Sequence, residues 1–248
     1  MYNDFSVILP VHNEERMLSK TFQCICSLNP SEIIIILDRC TDRSEKICRL
    51  YANKFRIKFI KVDKKSGWFI HLNWLYVIGI KAASCSIVFL SQADIALDAP
   101  KIIKNLKYAA ESIISFRHIP YLDRSTPAIL LLSKLPLMER LSSVFAFPRE
   151  WLFKYKLIEN LEIPFDTQIG IKISKFNLPY RYINTNSWNL RYPGPRSRLY
   201  DIGRTMRIIG RSHIFTLLKS IVRLQPEIYL GYIKAGKAFR SHQVPYAT

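Results

Sequence analysis

The chain has 248 residues, of which 49% are apolar and 23% charged, a composition that fits a globular protein with a sizeable core and excludes a disordered tail. No apolar run reaches the roughly 18 charge-free residues of a membrane-spanning helix, and MYNDFSVILP lacks the flank and cleavage site of a signal peptide, so a cytoplasmic protein is expected. The net charge of +18 is uneven: residues 181–248 carry 12 Lys and Arg against 2 acids, residues 1–100 carry 13 against 10, and residues 101–180 carry 12 against 7. Such an excess attracts anionic partners, whether nucleic acid, acidic lipid or diphosphate, and otherwise forms a basic solvated face.

In chain order, FSVILPV (5–11), EIIIIL (32–37), FRIKFIKV (55–62) and SIVFLS (86–91) are short, nearly continuous apolar runs suited to strands covered on both faces. Helical stretches separate them. Asn13 is placed to cap EERMLSKTFQCICSL, Thr41 or Asp42 to cap RSEKICRLYANK, and Ser66 or Gly67 to begin WFIHLNWLYVIGIKAA. Strand and helix in alternation predict a parallel sheet with crossovers. Five cysteines, Cys24, Cys26, Cys40, Cys48 and Cys85, make no CxxC pair and have no histidine at zinc-site spacing, so reduced thiols without a structural metal are expected.

Further on, residues 99–111 read as helix, 112–119 as strand, 127–143 as an apolar helix interrupted near Pro136, and 144–156 as a strand leading into a short helix. DTQIGIKISKFN (166–177) reads as a helix feeding the strand LPYRYINT, and a proline and glycine loop from Trp188 leads into a basic helix. Residues 204–223 place Met, Ile, Phe and Leu among Arg and Lys at roughly helical spacing, which suits either a helix lying on an anionic membrane or one packed on the domain with its basic face in water.

Ligands of an open parallel sheet sit beyond the carboxyl ends of its strands. There the sequence places PVHNEE, LDRCTDRS and SQADIALD, after the first, second and fourth strands. Singly, each acid or amide has a structural role available: Asn13 as a cap, Asp42 as a first-turn acid, Asp94 as a loop acid. Together they define one polar edge.

VILPVHNEE resembles the opening strand and turn of the family 2 nucleotide-sugar glycosyltransferases. LDRCTDRS resembles their Asp-x-Ser-Thr-Asp-x-Ser/Thr turn, FLSQADIALDAP their Asp-x-Asp strand end, and IPFDTQIGIKISKFNLPYRYI the segment with their Glu-Asp motif. The resemblance covers about residues 5–185, and it is the ordered set of motifs that carries it. It implies an α/β GT-A domain at 1–185, with a nucleotide-binding half at about 1–100 and an acceptor half at about 101–185, followed by a basic loop and helical extension at 186–248. It further implies an inverting transferase that moves one sugar from a UDP- or GDP-linked donor to a hydroxyl or phosphate of a glycan or polyprenyl-linked lipid, with Mg²⁺ or Mn²⁺ as cofactor.

By the same resemblance, Pro10, Val11, Asn13 and Glu14 line the nucleoside pocket, Asp38 lies close to base or ribose, and Lys65, Gly67, Gln92 and Ala93 border the donor. Asp94 is then the ion's protein ligand, since hard cations prefer carboxylate oxygen. Asp166 is the general base for the acceptor, with Glu162 the nearest rival acid. Arg149 and Trp151 fall in an acceptor-side loop, and Arg196 and Arg198 in a basic loop able to reach diphosphate oxygens. Three family acids are missing: Leu37, Gln92 and Phe165 stand in their places, and Cys40 replaces a serine. The losses at Gln92 and Phe165 leave open a nucleotide- or nucleic-acid-binding protein that keeps the fold without transferase activity. No nucleic-acid-binding signature supports a specific nucleic-acid partner. No Gln-x-x-Arg-Trp motif is present, which favours single additions over polymer synthesis.

Overall fold

A computed structural model of the chain describes residues 4–119, 143–190, 196–222 and 225–238. In order these form β1 (Phe5–Val11), α1 (Leu18–Ser27), β2 (Glu32–Asp38), α2 (Ser44–Leu50), β3 (Ile57–Val62), α3 (His71–Ala82), β4 (Ile87–Leu90) and β5 (Ile95–Ala96). They continue with α4 (Ala99–Leu106), a 3-10 turn (Lys107–Ala110), β6 (Ile113–Ile119), β7 (Val144–Pro148), α5 (Trp151–Lys154), α6 (Phe165–Phe176) and β8 (Tyr180–Asn189). Three helices end the described chain: α7 (Arg196–Ile208), α8 (His213–Val222) and α9 (Pro226–Ala238). The strands and their helices make one compact unit, and α7 to α9 belong to a second. Because β8 runs on to Asn189, the sheet unit extends past the expected boundary at residue 185.

Every residue of β1 and β2 is buried, because both faces of the sheet are covered. Successive side chains of a strand point to opposite faces. Val7, Leu9, Val11, Ile33, Ile35 and Leu37 therefore enter one core layer with Leu18, Phe22 and Ile25 of α1. Ile8, Ile34 and Ile36 enter the other, with Leu75, Tyr76 and Ile80 of α3. This double burial explains why the strands read as continuous apolar runs instead of alternating ones. The eight strands lie in the order β3-β2-β1-β4-β7-β6-β8-β5. β1, β2, β3 and β4 are mutually parallel, as are β6 and β8, whereas β7 runs antiparallel to β4 and β6, and β5 to β8.

Four expectations need correction. Asn13 does not cap a helix: α1 starts at Leu18, and the Glu14 carbonyl accepts the Met17 and Leu18 N–H groups at 3.0 and 2.9 Å. The helix expected from Ser66 or Gly67 begins at His71, since residues 66–70 form a turn tied to the His71 ring. The helix read over 166–177 runs from Phe165 to Phe176, which puts Asp166 inside its first turn. The described residues 204–222 fall in two helices separated at Gly210, whose φ of 73° is open to a glycine. There Arg211 N–H bonds to the Met206 carbonyl and Gly210 N–H to the Arg207 carbonyl, a Schellman ending. The helix expected over 127–143 falls on residues outside those described, apart from residue 143.

In the second unit, α7 and α9 cross at two glycines. A Cβ on Gly203 would run into the backbone of Ile228, and one on Gly231 into that of Tyr200, so only glycine permits this approach. Met206, Ile228 and Tyr232 form the small core there. On α8 the usual polarity is reversed: Thr216 and Ser220 are buried, while Ile214, Leu217, Leu218 and Ile221 are exposed.

Candidate active site

β1 has β2 on one side and β4 on the other, so the chain leaves the parallel block in opposite directions from neighbouring strand ends, which opens a crevice at their carboxyl edge. Pro10 and Val11 close β1 there, paired in register with Ile36 and Leu37. Asn13 takes a left-handed conformation with φ of 53°, and its Oδ1 accepts the Thr41 N–H at 2.8 Å and the Thr41 hydroxyl at 3.3 Å. Glu14 is buried, and its N–H donates to Ser44 Oγ at 2.7 Å. Asp42 accepts the N–H groups of Glu15 at 3.0 Å and Ser44 at 2.9 Å, while Glu15 accepts that of Arg43 at 3.0 Å. The turns after β1 and β2 are thus laced into one piece.

Asp38 ends β2 with only 4% of its side chain exposed. Arg39 grips it with two bonds of 2.8 Å, and His71 Nε2 lies 2.9 Å from the same Oδ1. His71 Nδ1 accepts the Ser66 N–H at 2.9 Å, so its Nε2 carries the proton that goes to Asp38. Burial raises the Asp38 carboxyl, but the bonds from Arg39 and His71 outweigh it and hold the group below the ordinary carboxylate range. Lys65 and Gly67 lie exposed in the turn that His71 anchors, and among the described residues nothing lies within 4 Å of where a Cβ on Gly67 would stand.

Across the crevice, Ala93 is buried and its carbonyl accepts the Thr21 hydroxyl of α1 at 2.8 Å. The Asp94 carbonyl accepts the Leu190 N–H at 2.7 Å, which fixes the short strand β5 against β8. Asp94 is 8% exposed. Its neighbour in space is Tyr76 of α3, whose buried hydroxyl donates to the Ser91 carbonyl at 3.0 Å. Burial raises the Tyr76 phenol, and the charges of Asp94 and Asp166 raise it further, with a bond to Gln92 opposing them. Two carboxylates 72 residues apart in sequence are thus each close along the chain to a residue that Tyr76 touches, Asp94 three residues after Ser91 and Asp166 next to Phe165.

Asp166 is positioned by its predecessor. Phe165 is buried, with its ring 4.4 Å from that of Tyr76 and 6.0 Å from that of Phe145. Leu37 is likewise buried. Two of the absent family acids are thus replaced by core residues beside an acid that remains. Asp166 Oδ1 accepts the Thr167 N–H at 2.8 Å and complements the N-terminal dipole of α6. Glu162 is half-buried in the preceding turn.

Arg149 and Trp151 are not brought to this edge. β7 runs antiparallel to β4, with Pro148 opposite Ile87, so its end lies at the amino end of β4. Arg149 there donates to the Ala83 carbonyl at 2.6 Å and closes the end of α3. Arg196 and Arg198 open α7, and their side chains lie outside the described residues. Reading along the chain missed His12, Arg39, His71 and Tyr76. Arg39 could have been noticed as a cation adjoining the motif acid, whereas Tyr76 sits in an apolar helix and gives no local signal.

Gln92 and Asp94 offer one amide oxygen and one carboxylate. Mg²⁺ takes one or two protein carboxylates and completes its shell with phosphate and water, so this sparse donor set fits such a cation accompanied by a diphosphate. Among the described residues no three His, Cys, Asp or Glu side chains form a metal site by themselves.

Residues 6–167 match the family model of glycosyl transferase family 2. A stretch of 68 residues is 32% identical to the minor teichoic acid biosynthesis protein GgaB of Bacillus subtilis (strain 168), covering 26% of this chain and only 8% of that much longer protein. S. aureus TarS 1–349 shares the fold at a TM-score of 0.60 and 14% identity, over 95% of this chain and 72% of that one. The mannosyltransferase PcManGT from Pyrobaculum calidifontis, in complex with GDP-Man and Mn²⁺, gives 0.64 and 13% over 98% and 77%. Glucosyl-3-phosphoglycerate synthase from Mycobacterium tuberculosis, with Mn²⁺ and UDP, gives 0.57 and 20% over 83% and 78%. At these identities the structures establish likeness of fold, and the family match establishes membership: this chain belongs to the family 2 glycosyltransferases, with a mostly parallel α/β sheet of the GT-A kind.

Proposed function

We propose that the chain transfers a single sugar, with inversion, from a UDP- or GDP-linked donor to a hydroxyl or phosphate on a glycan or polyprenyl-linked lipid. The observation that carries this reading is that Tyr76 touches both Ser91, three residues before Asp94, and Phe165, the residue before Asp166, in the sheet whose β2 ends at Asp38. TarS has been crystallised with UDP-GlcNAc, and the two other neighbours with Mn²⁺, which supports a nucleotide-sugar donor and a divalent cation here. When bound, Mg²⁺ or Mn²⁺ held through Asp94 and Gln92 supplies positive charge against the departing diphosphate. Asp166 takes the proton of the acceptor hydroxyl as that oxygen attacks the anomeric carbon from the face opposite the diphosphate. The laced turns around Asn13 and Asp38 hold the nucleoside, with Lys65 and Gly67 beside the donor.

Titrating the protein with UDP-GlcNAc, UDP-glucose and GDP-mannose, with and without Mn²⁺, tests the reading by melting temperature and by donor hydrolysis. At least one donor should raise the melting temperature, and Asp94→Ala should abolish the Mn²⁺-dependent part. No shift with any donor overturns the proposal. Binding without hydrolysis or transfer favours the nucleotide-binding alternative, which the replacement of acids at Gln92 and Phe165 also supports.

We further propose a cytoplasmic protein working at the inner membrane face. No helix among the described residues is long and apolar enough to cross a membrane. The outward stripe Ile214, Leu217, Leu218 and Ile221, within the chain's most basic quarter, suits an anionic lipid surface. Co-sedimentation with phosphatidylglycerol vesicles should exceed that with phosphatidylcholine vesicles and should disappear in an Ile214→Glu/Leu218→Glu variant. Equal binding to both vesicles would remove this part.

A further inference from the structure

A groove of about 370 Å³ lies on the flank of the sheet, between α3 and the segment that follows β7. Its floor is apolar, since Val77 of α3, Leu152 of α5 and Ile158 are all buried. Two aromatic side chains line it as well: Trp68, half-buried in the turn before α3, and Phe153, half exposed on α5. Asn160, also in the lining, accepts the Phe69 N–H on its Oδ1 at 2.9 Å and so joins the two walls. Lys81 stands in the last turn of α3, whose first residue, His71, touches Asp38. About 15 Å of helix lies between them, so the groove descends the flank away from the crevice. The lining holds two lysines and one acid, and the acid is already answered, because Glu159 accepts from Lys172 Nζ at 2.7 Å. Lys81 and Lys156 are exposed and make no ion pair among the described residues. Lys156 also takes a φ of 48° at the left-handed position that ends α5, where the Leu157 N–H returns to the Leu152 carbonyl at 3.2 Å. Glycine fits that position with less strain, so the lysine stands there against the local preference of the backbone.

From this we infer that the groove is a binding site, separate from the donor crevice, for an anionic sugar unit: a phosphorylated or carboxylated residue of a glycan. A sugar ring is apolar on its C–H faces and polar at its rim, which matches an apolar floor with aromatic walls edged by lysines and an amide. The two unanswered ammonium groups select for a negative charge on that ring. A neutral sugar leaves them unpaired, and a bare inorganic anion makes no use of the floor. The space is at the lower end of the roughly 300–1,000 Å³ of small-molecule sites, which suits one or two rings and not a long polyprenyl or acyl chain. That this unit is a non-reacting part of the acceptor rests on the transferase reading above, whereas its binding to the groove does not.

Isothermal titration of the full chain with glucose 6-phosphate, glucose, inorganic phosphate and octyl phosphate tests this without donor or cation. Glucose 6-phosphate should bind about tenfold or more tightly than each of the other three. Lys156→Gly should lower its affinity by about tenfold while the urea midpoint holds or rises, since glycine relieves the left-handed backbone; a binding loss with intact folding is then read directly. Lys81→Ala, an exposed change, should lower the affinity likewise, and Asp94→Ala should leave it unaltered. No binding of glucose 6-phosphate, or the same affinity in both lysine variants, overturns the inference. Glucose or inorganic phosphate binding as tightly overturns recognition of a charged ring, and tighter binding of octyl phosphate makes the occupant a lipid and overturns it too. Loss of glucose 6-phosphate binding in Asp94→Ala places that ligand in the crevice and overturns the separate site. If the sugar phosphate binds as expected while no UDP- or GDP-linked donor does, the groove stands and the transferase reading falls.

Discussion

On the β1–β2 side of the crevice, Asn13, Glu15, Asp38 and Asp42 are held by hydrogen bonds from N–H groups of adjoining turns. On the β4–α6 side, Asp94 and Asp166 are placed by apolar packing, through Tyr76 and Phe165, with Thr21 and Leu190 fixing the backbone. The difference teaches how one edge serves two purposes. The first side is a finished cradle whose charges are already answered within the chain. The second gathers like charges over a low-dielectric support, an arrangement suited to receiving a counter-charge and a proton.

The sharpest way to break this comparison is to neutralise one acid on each side. Asp94→Asn and Asp166→Asn should each lower the transfer rate by about 10²–10⁴-fold, the range for losing a general base or a main electrostatic contact. Asp166→Asn should leave donor affinity unchanged, whereas Asp94→Asn should also lose Mn²⁺-dependent donor binding. Asp38→Asn should act mainly on donor KM. If Asp38→Asn lowers kcat as far as Asp166→Asn does, the two sides are not functionally distinct.

Much of the first side was legible along the chain, and less of the second. Ile- and Val-rich runs give a clear strand signal, so β1 to β4 and their parallel pairing follow from FSVILPV, EIIIIL, FRIKFIKV and SIVFLS, although β3, at the sheet edge, is not covered on both faces and fully buries only Val62. The three polar turns then fall at one edge by topology alone. Asn13 misled because its short amide serves a helix cap and a left-handed turn equally well, and only the position of Thr41 decides between them. Arg149 misled because a strand's direction is not written in its own residues: β7 returns antiparallel and carries Arg149 away from Asp94. The Asp38–His71 contact spans 33 positions, and the Tyr76 cluster joins helices and loops that no local pattern connects.

A smaller effect tests the support under the second side. The Tyr76 hydroxyl is the buried donor to the Ser91 carbonyl, at the start of the turn that carries Gln92 and Asp94. Tyr76→Phe keeps the ring contact with Phe165 and should cost about 1 kcal/mol of unfolding free energy in urea titrations. Transfer activity should fall a few-fold through looser placement of Asp94. An unchanged urea midpoint would mean that the hydroxyl contributes nothing to holding that turn.

The smallest effects are in the pH dependence of stability, where the first side should show its own signature. Asp38 and Asp42 are held below the ordinary carboxylate range, where hydrogen bonds to the charged form outweigh the opposing effect of burial. A carboxyl with a lowered folded pKa contributes stability that is present above its unfolded value of about 3.9 and is lost as pH falls further through the folded value. Elsewhere in the sheet, burial pushes the His118 imidazole of β6 down to about 4, with the Arg117 charge adding to it, and its Nδ1 has no hydrogen-bond partner among the described residues. Below its unfolded value of about 6.5 the unfolded chain binds the proton that the folded one refuses, so stability should decline from that pH down to about 4. Urea midpoints across pH 7 to 3 should therefore fall in two stages. His118→Phe should flatten the upper stage without loss of stability at pH 7, since it removes a buried unpaired nitrogen. Asp38→Asn should shrink the lower stage and leave the upper one intact. A lower stage of full size in Asp38→Asn would show that the Arg39–Asp38–His71 contact does not hold the first side together.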